Sequence, residues 1–239
     1  MTMQVNGSAI FVKLYCLCKG YRIKNITLPK QYKDVFDLMN DTYVNVYGFE
    51  PMQLNKEIIY PKGVAVCFGI YKKKELIGSM RLMDLTQQQP VLSDFYLTTK
   101  FDYDPKKTYE LSRLIIAPKY QSMDRMIFLL LIYAAYRFTM KTGRNQWIVS
   151  TWKSIYYIIQ RMGAKVDFIT QNTNYIDDGS QKARLFKDYV KREEGFDFNC
   201  CFYVSLEKDE SNNLLKKYIR RRLKRFRKRT MEKFMPLYS

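Results

Sequence analysis

A glutamate and an arginine stand three residues apart in the stretch TYELSRLIIAPKYQ, residues 108–121, where the chain becomes apolar. Successive residues of a strand face opposite sides, so Glu110 and Ser112 are predicted on one side of it. Leu111 and Arg113 then share the other side with the apolar residues that follow. Unpaired charges are costly in a low dielectric, so each charge is expected to have a partner. Such a pair lining a cleft indicates a functional site, although a structural ion pair explains it equally well.

Proton transfer is the chemistry that a buried carboxylate of this kind can perform. The chain has no histidine, which excludes Ser-His-Asp and Cys-His nucleophiles and the usual imidazole metal sites. Carboxylate, Tyr or Lys must therefore carry any acid–base step. The five cysteines show neither a metal-ligand spacing nor a disulfide framework. They are predicted to be reduced, buried apolar residues, and no metal is expected.

The composition favours a globular chain. Its 239 residues, 47% of them apolar, can bury a core and suit one domain with an appendage. No apolar run reaches the roughly 18 residues that a membrane-spanning helix needs. The stretch SAIFVKLYCLC lacks a basic leader and a cleavage site. We therefore expect a cytoplasmic protein.

Positive charge is concentrated at the end of the chain. The formal net charge is +18, and residues 211–239 hold eleven Lys and Arg against one acid, Glu232, which leaves ten of these charges there. Apolar residues recur in this segment at helical spacing, at Leu215, Ile219, Leu223 and Phe226. A basic amphipathic helix of this kind suits an anionic membrane, RNA or an acidic carrier protein, unless it simply docks on the body. The predicted anionic-surface residues are Arg220, Arg221, Arg222, Lys224, Arg225, Arg227, Lys228 and Arg229.

The first half of the chain alternates strand and helix patterns. The opening residues carry no clear pattern, YRIKNITL alternates like a strand, and Pro29 opens a helix that is predicted to end at Gly48. GVAVCFGIY and ELIGSMRLM, joined by the charged turn KKK, indicate an antiparallel hairpin. A polar loop, TQQQPVLSDFYL, leads to the strand YELSRLII.

A long apolar helix opens the second half. RMIFLLLIYAAYRFTMKTG is predicted to end at Gly143, and FLLLIYAAYRF within it is predicted to be core rather than the lining of a ligand pocket. The elements that follow are the strand NQWIVST, the helix SIYYIIQRMG, the strand AKVDFIT, the helix QKARLFKDYVKREEG and the strand NCCFYVSLE. This order predicts an α/β (α+β) fold, in which one twisted mixed sheet is flanked by helices. The domain is predicted over residues 1–208, followed by the basic segment 211–239.

The order of these elements, together with GSMRLM, VLSDFY, YELSRLII and IIQRMG, resembles the GNAT acyltransferase fold over roughly residues 21–168. The resemblance is greatest to acyl-homoserine-lactone autoinducer synthases and long-chain N-acyl amino acid synthases, which take an acyl chain from acyl carrier protein. In these families a G-x-x-R-L strand end, an acidic loop and an E-x-S-R strand surround the acyl-transfer site. The matching positions here are Gly78, Arg81 and Leu82, then Asp94 and Phe95, then Glu110, Ser112 and Arg113.

The resemblance implies a role for each matched residue. Glu110 would accept the proton of an attacking amine, while Arg81 and Arg113 would keep it ionised and orient the acceptor's carboxylate. Backbone N–H groups near Leu114 and Ile115, where GNAT strands splay, would contact the oxyanion. The expected substrate-binding residues are Ser112, Asp94, Phe95, Leu114 and Ile115. The donor would be an acyl-acyl carrier protein or an acyl-CoA.

Three departures from these families bear on the substrates. Met39 in LMNDTYVNVYGF stands where the families have an arginine. QSMDRM replaces the glycine-rich pyrophosphate loop of acetyl-CoA enzymes, and its Asp124 would repel a phosphate. Ile159 stands where a tyrosine often protonates the CoA thiolate. The last two departures favour a carrier-protein donor over acetyl-CoA.

The favoured interpretation is an N-acyltransferase that moves a fatty acyl chain from acyl carrier protein to the amine of an amino acid or a similar small acceptor. Its product would be an N-acyl amino acid or an acyl-homoserine-lactone-type molecule. The basic body suits an acidic carrier protein, and a lipophilic product suits a tail bound to an anionic membrane. One alternative is a noncatalytic GNAT scaffold whose tail binds membrane or, less favoured, nucleic acid. Another is a CoA-dependent N-acetyltransferase.

Overall fold

The structure is a computed structural model that describes residues 7–45, 63–87, 103–121, 126–151, 153–161, 164–170 and 200–206. Several predicted features lie outside these residues. They are Gly48, most of the loop TQQQPVLSDFYL, the helix QKARLFKDYVKREEG and the basic segment 211–239.

Seven strands and five helices make up the described part of the chain. The strands are β1 (Tyr21–Ile26), β2 (Ala65–Lys72), β3 (Glu75–Asp84), β4 (Thr108–Ile116), β5 (Gln146–Thr151), β6 (Lys165–Thr170) and β7 (Cys200–Ser205). The helices are α1 (Gly7–Lys19), α2 (Pro29–Asn45), α3 (Pro118–Gln121), α4 (Met126–Lys141) and α5 (Lys153–Arg161). The predicted elements that fall within the described residues are confirmed, and the opening residues without a clear pattern form α1.

The strands form one mixed sheet in the order β1-β2-β3-β4-β5-β7-β6. Strands β4 and β5 are parallel, and the other neighbouring strands are antiparallel. Parallel neighbours need a crossover connection, which α4 supplies here. The predicted mixed sheet flanked by helices is confirmed, and β4, which carries Glu110, Ser112 and Arg113, is one strand of its parallel pair.

Helix α4 covers one face of the sheet, called the α4 face below. A Cβ atom built at Gly78 of β3 would lie 3.0 Å from Ile127 and 3.4 Å from Leu131, so α4 approaches the sheet closely there. The fully buried Trp147 of β5 donates its indole N–H to Thr139 of α4 at 2.8 Å. A helix that is apolar all round belongs in a core, and α4 is buried along most of its length as predicted.

Helix α2 covers the opposite face, called the α2 face below. Gly69 of β2 pairs with Ser79 of β3, and paired residues face the same side of a sheet. A Cβ atom built at Gly69 would lie 3.2 Å from the ring of Tyr71, so this ring is on the same side. The Tyr71 hydroxyl donates to Asp34 of α2 at 3.4 Å, which places α2 over the face of Ser79. Burial, reinforced by the Asp34 carboxylate, raises the pKa of Tyr71 to about 12.

The cysteines of α1 differ in exposure. Cys16 and also Cys67 of β2 are buried as predicted, but Cys18 is exposed, contrary to the prediction. Residues two apart in a helix lie on roughly opposite sides, which separates Cys16 from Cys18. Burial raises the pKa of the Cys16 thiol to about 11. Among the described residues, no helix is both long enough and apolar enough to cross a membrane.

Arg144 connects the end of α4 to the strands that carry the candidate site. Gly143, at φ 77°, ends the helix, and the N–H groups of residues 143 and 144 bond to the carbonyls of Met140 and Thr139. This turn delivers Arg144 to β3 and β4, where its side chain donates to Asp84 at 2.7 Å and to the Thr108 carbonyl at 3.0 Å.

The Arg144 guanidinium also lies 3.9 Å from the centroid of the Tyr109 ring. Burial disfavours the charged form of Asp84, but the hydrogen bonds from Arg144 and Thr86 outweigh it, so the pKa of Asp84 is lowered. One side chain thus holds together the ends of β3, β4 and α4.

Replacing Arg144 with Met should lower the free energy of unfolding by about 2–4 kcal/mol, because the mostly buried Asp84 carboxylate loses its cationic partner and keeps only its hydrogen bonds from Thr86. The depressed pKa means that this contribution is intact above pH 3.8 and is lost as the pH falls below it. Urea unfolding at neutral and acidic pH checks both points. Arg137→Met, at an exposed position of the same helix, is the control. A destabilisation equal to that of the control would contradict this role of Arg144.

Candidate active site

A β-bulge interrupts the pairing of β3 with β4. Arg81 pairs with Ser112, and the next recorded pair joins Ser79 to Ile115. Two residues of β4, Arg113 and Leu114, therefore stand opposite Met80 alone. Arg113 has a φ of 52°, in the left-handed region that residues with a side chain rarely adopt. The predicted alternation of faces is therefore wrong beyond Ser112, because the extra residue shifts the alternation.

The pairing of β4 with β5 ends just before this bulge. The parallel register runs from Thr108 opposite Gln146 to Leu111 opposite Val149, whereas β4 itself continues to Ile116. Leu114 thus belongs to the recorded register of neither neighbouring strand, while Ile115 has rejoined β3. The sheet opens at the point where the sequence predicted an oxyanion contact near Leu114 and Ile115.

Two opposite charges are buried beside this opening. Arg81 and Glu110 are each 1% exposed. Arg81 and Ser112 form a cross-strand pair, and the Arg81 Nε–H donates to Ser112 Oγ at 3.1 Å. Glu110 pairs with Met83, so it lies on the same face as Ser112 and is a diagonal neighbour of Arg81. Such neighbours have Cβ atoms about 7–8 Å apart, within reach of side chains of this length.

The predicted catalytic residues are therefore brought together in part. Arg81, Glu110 and Ser112 share the α2 face, because Arg81 lies two residues from Ser79 along β3. Arg113 is half-buried in the bulge, where the alternation of side chains between the two faces of the sheet is interrupted. Asp94 and Phe95 lie outside the described residues.

Tyr103 lies near Glu110, which the sequence patterns did not indicate. A turn returns the chain to β4, with Lys107 N–H donating to the Asp104 carbonyl at 3.0 Å. Burial and the nearby charge of Glu110 raise the pKa of the Tyr103 hydroxyl, which therefore stays protonated at neutral pH. Nothing in the local sequence marks Tyr103, since its proximity to Glu110 depends on this turn.

The positions at which the sequence departs from the families that it resembles can be located in the structure. Met39 is fully buried in α2, and Ile159 of α5 is 3% exposed, so both are core residues. Gln121 ends α3, and its side-chain amide donates to the Ile116 carbonyl at 2.9 Å. Residues 122–125, which include Asp124, lie outside the description. Among the residues described, no group of three or more Cys, Asp or Glu side chains can hold a metal ion.

Comparison with known proteins identifies solved structures with a similar fold. No protein-family model matches the sequence, and no curated protein matches it significantly. Among solved structures, the CoA-dependent acyl-homoserine lactone synthase BjaI, solved with SAM and isopentyl-CoA, is similar, with a TM-score of 0.60 and 16% identity. The similarity covers 84% of this chain and 90% of that chain. The chain has the fold of the acyl-homoserine lactone synthases.

Two further structures with this synthase fold are similar to the chain. The acyl-homoserine lactone synthase LasI has a TM-score of 0.58 and 13% identity, over 82% of this chain and 93% of that chain. FeeM, an N-acyl amino acid synthase from uncultured soil microbes, has a TM-score of 0.51 and 11% identity, over 77% and 88%. The likeness is one of fold, and it confirms the architecture that the motifs predicted.

The left-handed backbone of the bulge predicts an unusual order of stability. Arg113→Gly should be more stable than Arg113→Ala by about 1 kcal/mol, because glycine adopts a positive φ without a steric cost. At Ser112, where φ is not positive, Ser112→Gly should instead be less stable than Ser112→Ala by about 0.5–1 kcal/mol. Urea unfolding of the four variants measures both differences. The same order at both positions would rule out the left-handed bulge.

Proposed function

We propose that the protein is an N-acyltransferase that moves an acyl group from a thioester to the amine of a small acceptor. The observation that supports this most strongly is the cluster of the buried Glu110 and Arg81 with the half-buried Ser112, beside the opening between β4 and β5. Burying a charge is costly, so a core formed for stability alone seldom includes such a group. The fold shared with acyl-homoserine lactone and N-acyl amino acid synthases supports the same reaction.

The reaction needs a neutral amine and a polarised carbonyl. The amine nitrogen attacks the thioester carbon while Glu110 accepts the amine proton, directly or through water. Negative charge then develops on the carbonyl oxygen, which the backbone N–H of Leu114 can contact at the opening of the sheet. When the carbon–sulfur bond breaks, Glu110 passes the proton that it accepted from the amine to the departing thiolate. The thiolate leaves as a thiol, and no proton is gained or lost overall. Arg81 keeps Glu110 ionised before attack.

Acyl carrier protein is the proposed donor. The segment QSMDRM lacks the glycines that bring backbone N–H groups to a pyrophosphate, and Asp124 disfavours an anion there. The body of the chain outside residues 211–239 keeps a formal net charge of +8 (18 − 10), which complements an acidic carrier protein. BjaI is described as CoA-dependent, so acyl-CoA is the second donor to compare. The proposed acceptor is an amino acid or a related small amine, and the proposed product is an N-acyl amino acid or an acyl lactone.

The proposed location is the cytoplasm, at the inner face of an anionic membrane. The supporting observation is the basic amphipathic pattern of residues 211–239. A lipophilic product would be released close to the bilayer.

Glu110→Gln should lower turnover at least about a hundredfold, because the amide cannot accept the amine proton. Mass spectrometry of lipid extracts from cells that express each form should find N-acyl amino acids or acyl lactones with the wild type only. Glu75→Gln, at an exposed glutamate outside the cluster, is the matched control and should keep the product. The purified wild type is then compared with acyl-acyl carrier protein and acyl-CoA as donors. Equal product from Glu110→Gln and the wild type would remove Glu110 as the base.

Replacing the eight tail residues Arg220, Arg221, Arg222, Lys224, Arg225, Arg227, Lys228 and Arg229 with glutamine should weaken binding to anionic liposomes at low salt. The reason is that each cation near an anionic surface contributes about 1 kcal/mol of attraction. Co-sedimentation with phosphatidylserine vesicles measures this binding, and neutral phosphatidylcholine vesicles are the control. Turnover of soluble substrates should stay near that of the wild type. Unchanged sedimentation would count against the membrane role, and a duplex RNA arm tests the nucleic-acid alternative.

A further inference from the structure

Helix α1 has an apolar side that faces solvent, and the proposed reaction does not use it. Leu14 is 50% exposed, Leu17 is 77% exposed, and Cys18 is exposed as well. Residues three and four apart lie on one side of a helix, so Leu14, Leu17 and Cys18 form a single patch, called the α1 patch below. Single exposed apolar residues are common on proteins, but adjacent ones indicate a surface that binds a partner.

The other side of α1 already packs against the protein. Val12, Tyr15 and Cys16 are buried, and the Tyr15 ring packs edge-on against the ring of Tyr21 in β1, with 6.3 Å between the ring centroids. A helix turns by roughly 100° per residue, which directs these three side chains away from the α1 patch. Helix α1 is therefore apolar on two opposite sides, one of which packs on β1. A helix of this kind is normally covered on both sides, so the α1 patch is expected to meet an apolar partner.

Charge around the α1 patch narrows the choice of that partner. Residues 7–32 contain five Lys and Arg and no Asp or Glu. Lys13 lies one helical turn before Leu17, at the edge of the patch. Positive charge without an acid in this part of the chain favours an anionic partner. The exposed members of the set are Lys13, Arg22, Lys24 and Lys30.

The same charge disfavours two other covers for the patch. Residues 211–239 hold eleven Lys and Arg against one acid, so docking them here would bring like charges together. A second copy of the chain, joined symmetrically through the patch, would place its own Lys13 beside the first one. An acidic protein has a suitable charge. However, protein-binding surfaces are rich in Tyr, Trp and Arg at their centre, whereas the α1 patch consists of two leucines and a cysteine.

An anionic bilayer fits both the apolar side chains and the cations. A helix with an apolar side and flanking cations lies in the plane of a membrane, with that side buried about 5–10 Å into the boundary between headgroups and acyl chains. Lysines beside it stay at the headgroups and attract anionic lipids. Residues 14–18 span only about 6 Å of helix, which gives a shallow contact. A shallow contact gains strength from a second one on the same molecule, because the second binding step is intramolecular.

We propose that the α1 patch inserts into the headgroup region of an anionic membrane, as a contact separate from the basic segment 211–239. The proposal does not depend on acyl transfer, because none of its residues belongs to the Glu110 cluster. Helix α1 also precedes residues 21–168, over which the sequence resembles the acyltransferase families, so the resemblance implies nothing about this contact.

The double variant Leu14→Gln/Leu17→Gln tests the patch in the full chain. Glutamine has a helix propensity close to that of leucine but removes the apolar contact. Binding to phosphatidylserine vesicles should weaken at least about tenfold, while the melting temperature stays that of the wild type. Tyr157→Gln is the control, because Tyr157 is an exposed apolar residue of α5, which packs on β6 at the opposite edge of the sheet. It should bind vesicles like the wild type.

Alkylation of Cys18 locates the contact on the protein. Mass spectrometry of the peptide 14–19 distinguishes Cys18 from the buried Cys16, whose thiol pKa is raised to about 11 by burial. Phosphatidylserine vesicles should slow the reaction of Cys18 with a polar maleimide in proportion to the fraction of protein bound. Neutral phosphatidylcholine vesicles should slow it much less. The leucine variant should lose this protection, and the result is the same whether or not an acyl product is found.

Any of three results would overturn the proposal. They are equal vesicle binding by the wild type and the leucine variant, unprotected Cys18 in the vesicle-bound protein, and a lower melting temperature of the leucine variant, which would show that the chain itself covers the patch. Protection of Cys18 by acyl carrier protein but not by vesicles would replace the bilayer with an acidic protein. Protection that rises with protein concentration in the absence of vesicles would replace it with a second copy of the chain.

Discussion

Strand β4 must complete a buried sheet along one half and open it along the other. Its first half, Thr108–Leu111, is buried and pairs with β5, and Tyr109–Leu111 pairs with β3 as well. Its second half loses β5 and is displaced against β3 by the bulge at Arg113 and Leu114. A regular strand would keep its backbone groups in the ladders, where no substrate can reach them. The left-handed φ of Arg113 is the local steric cost of the bulge at which this core strand leaves regular pairing.

The surrounding contacts keep this strand fixed although half of its pairing is absent. Arg144 holds the beginning of β4 through the Thr108 carbonyl and the Tyr109 ring, and it is itself fixed by Asp84 at the end of β3. Beyond the bulge, Ile115 returns to β3 and the Ala117 N–H donates to the Ile77 carbonyl at 3.0 Å. The bulge is therefore anchored on both sides, which allows a strained residue to persist there.

Much of this organisation can be predicted from local sequence patterns. The features that cannot be predicted in this way depend on the pairing register between strands. Glu110, Arg81 and Ser112 are recognisable because charged and polar residues interrupt otherwise apolar strands at motif spacing. The mixed sheet follows from the order of the patterns, and α4 from its continuous apolar run.

The bulge is different, because it appears only when Ser112 and Ile115 are matched to Arg81 and Ser79 across two strands. Tyr103 is likewise near Glu110 only through a turn.

Met39 illustrates a limit on the number of charges that the α2 face of the sheet can hold. It is fully buried in α2, the helix that packs against β3 and β4 on the side of Arg81 and Glu110. An arginine at this position, as in the families that the sequence resembles, would add a cation to a face whose described buried charges are Arg81 and Glu110. The desolvation of a further charge would need a further anionic partner or a ligand.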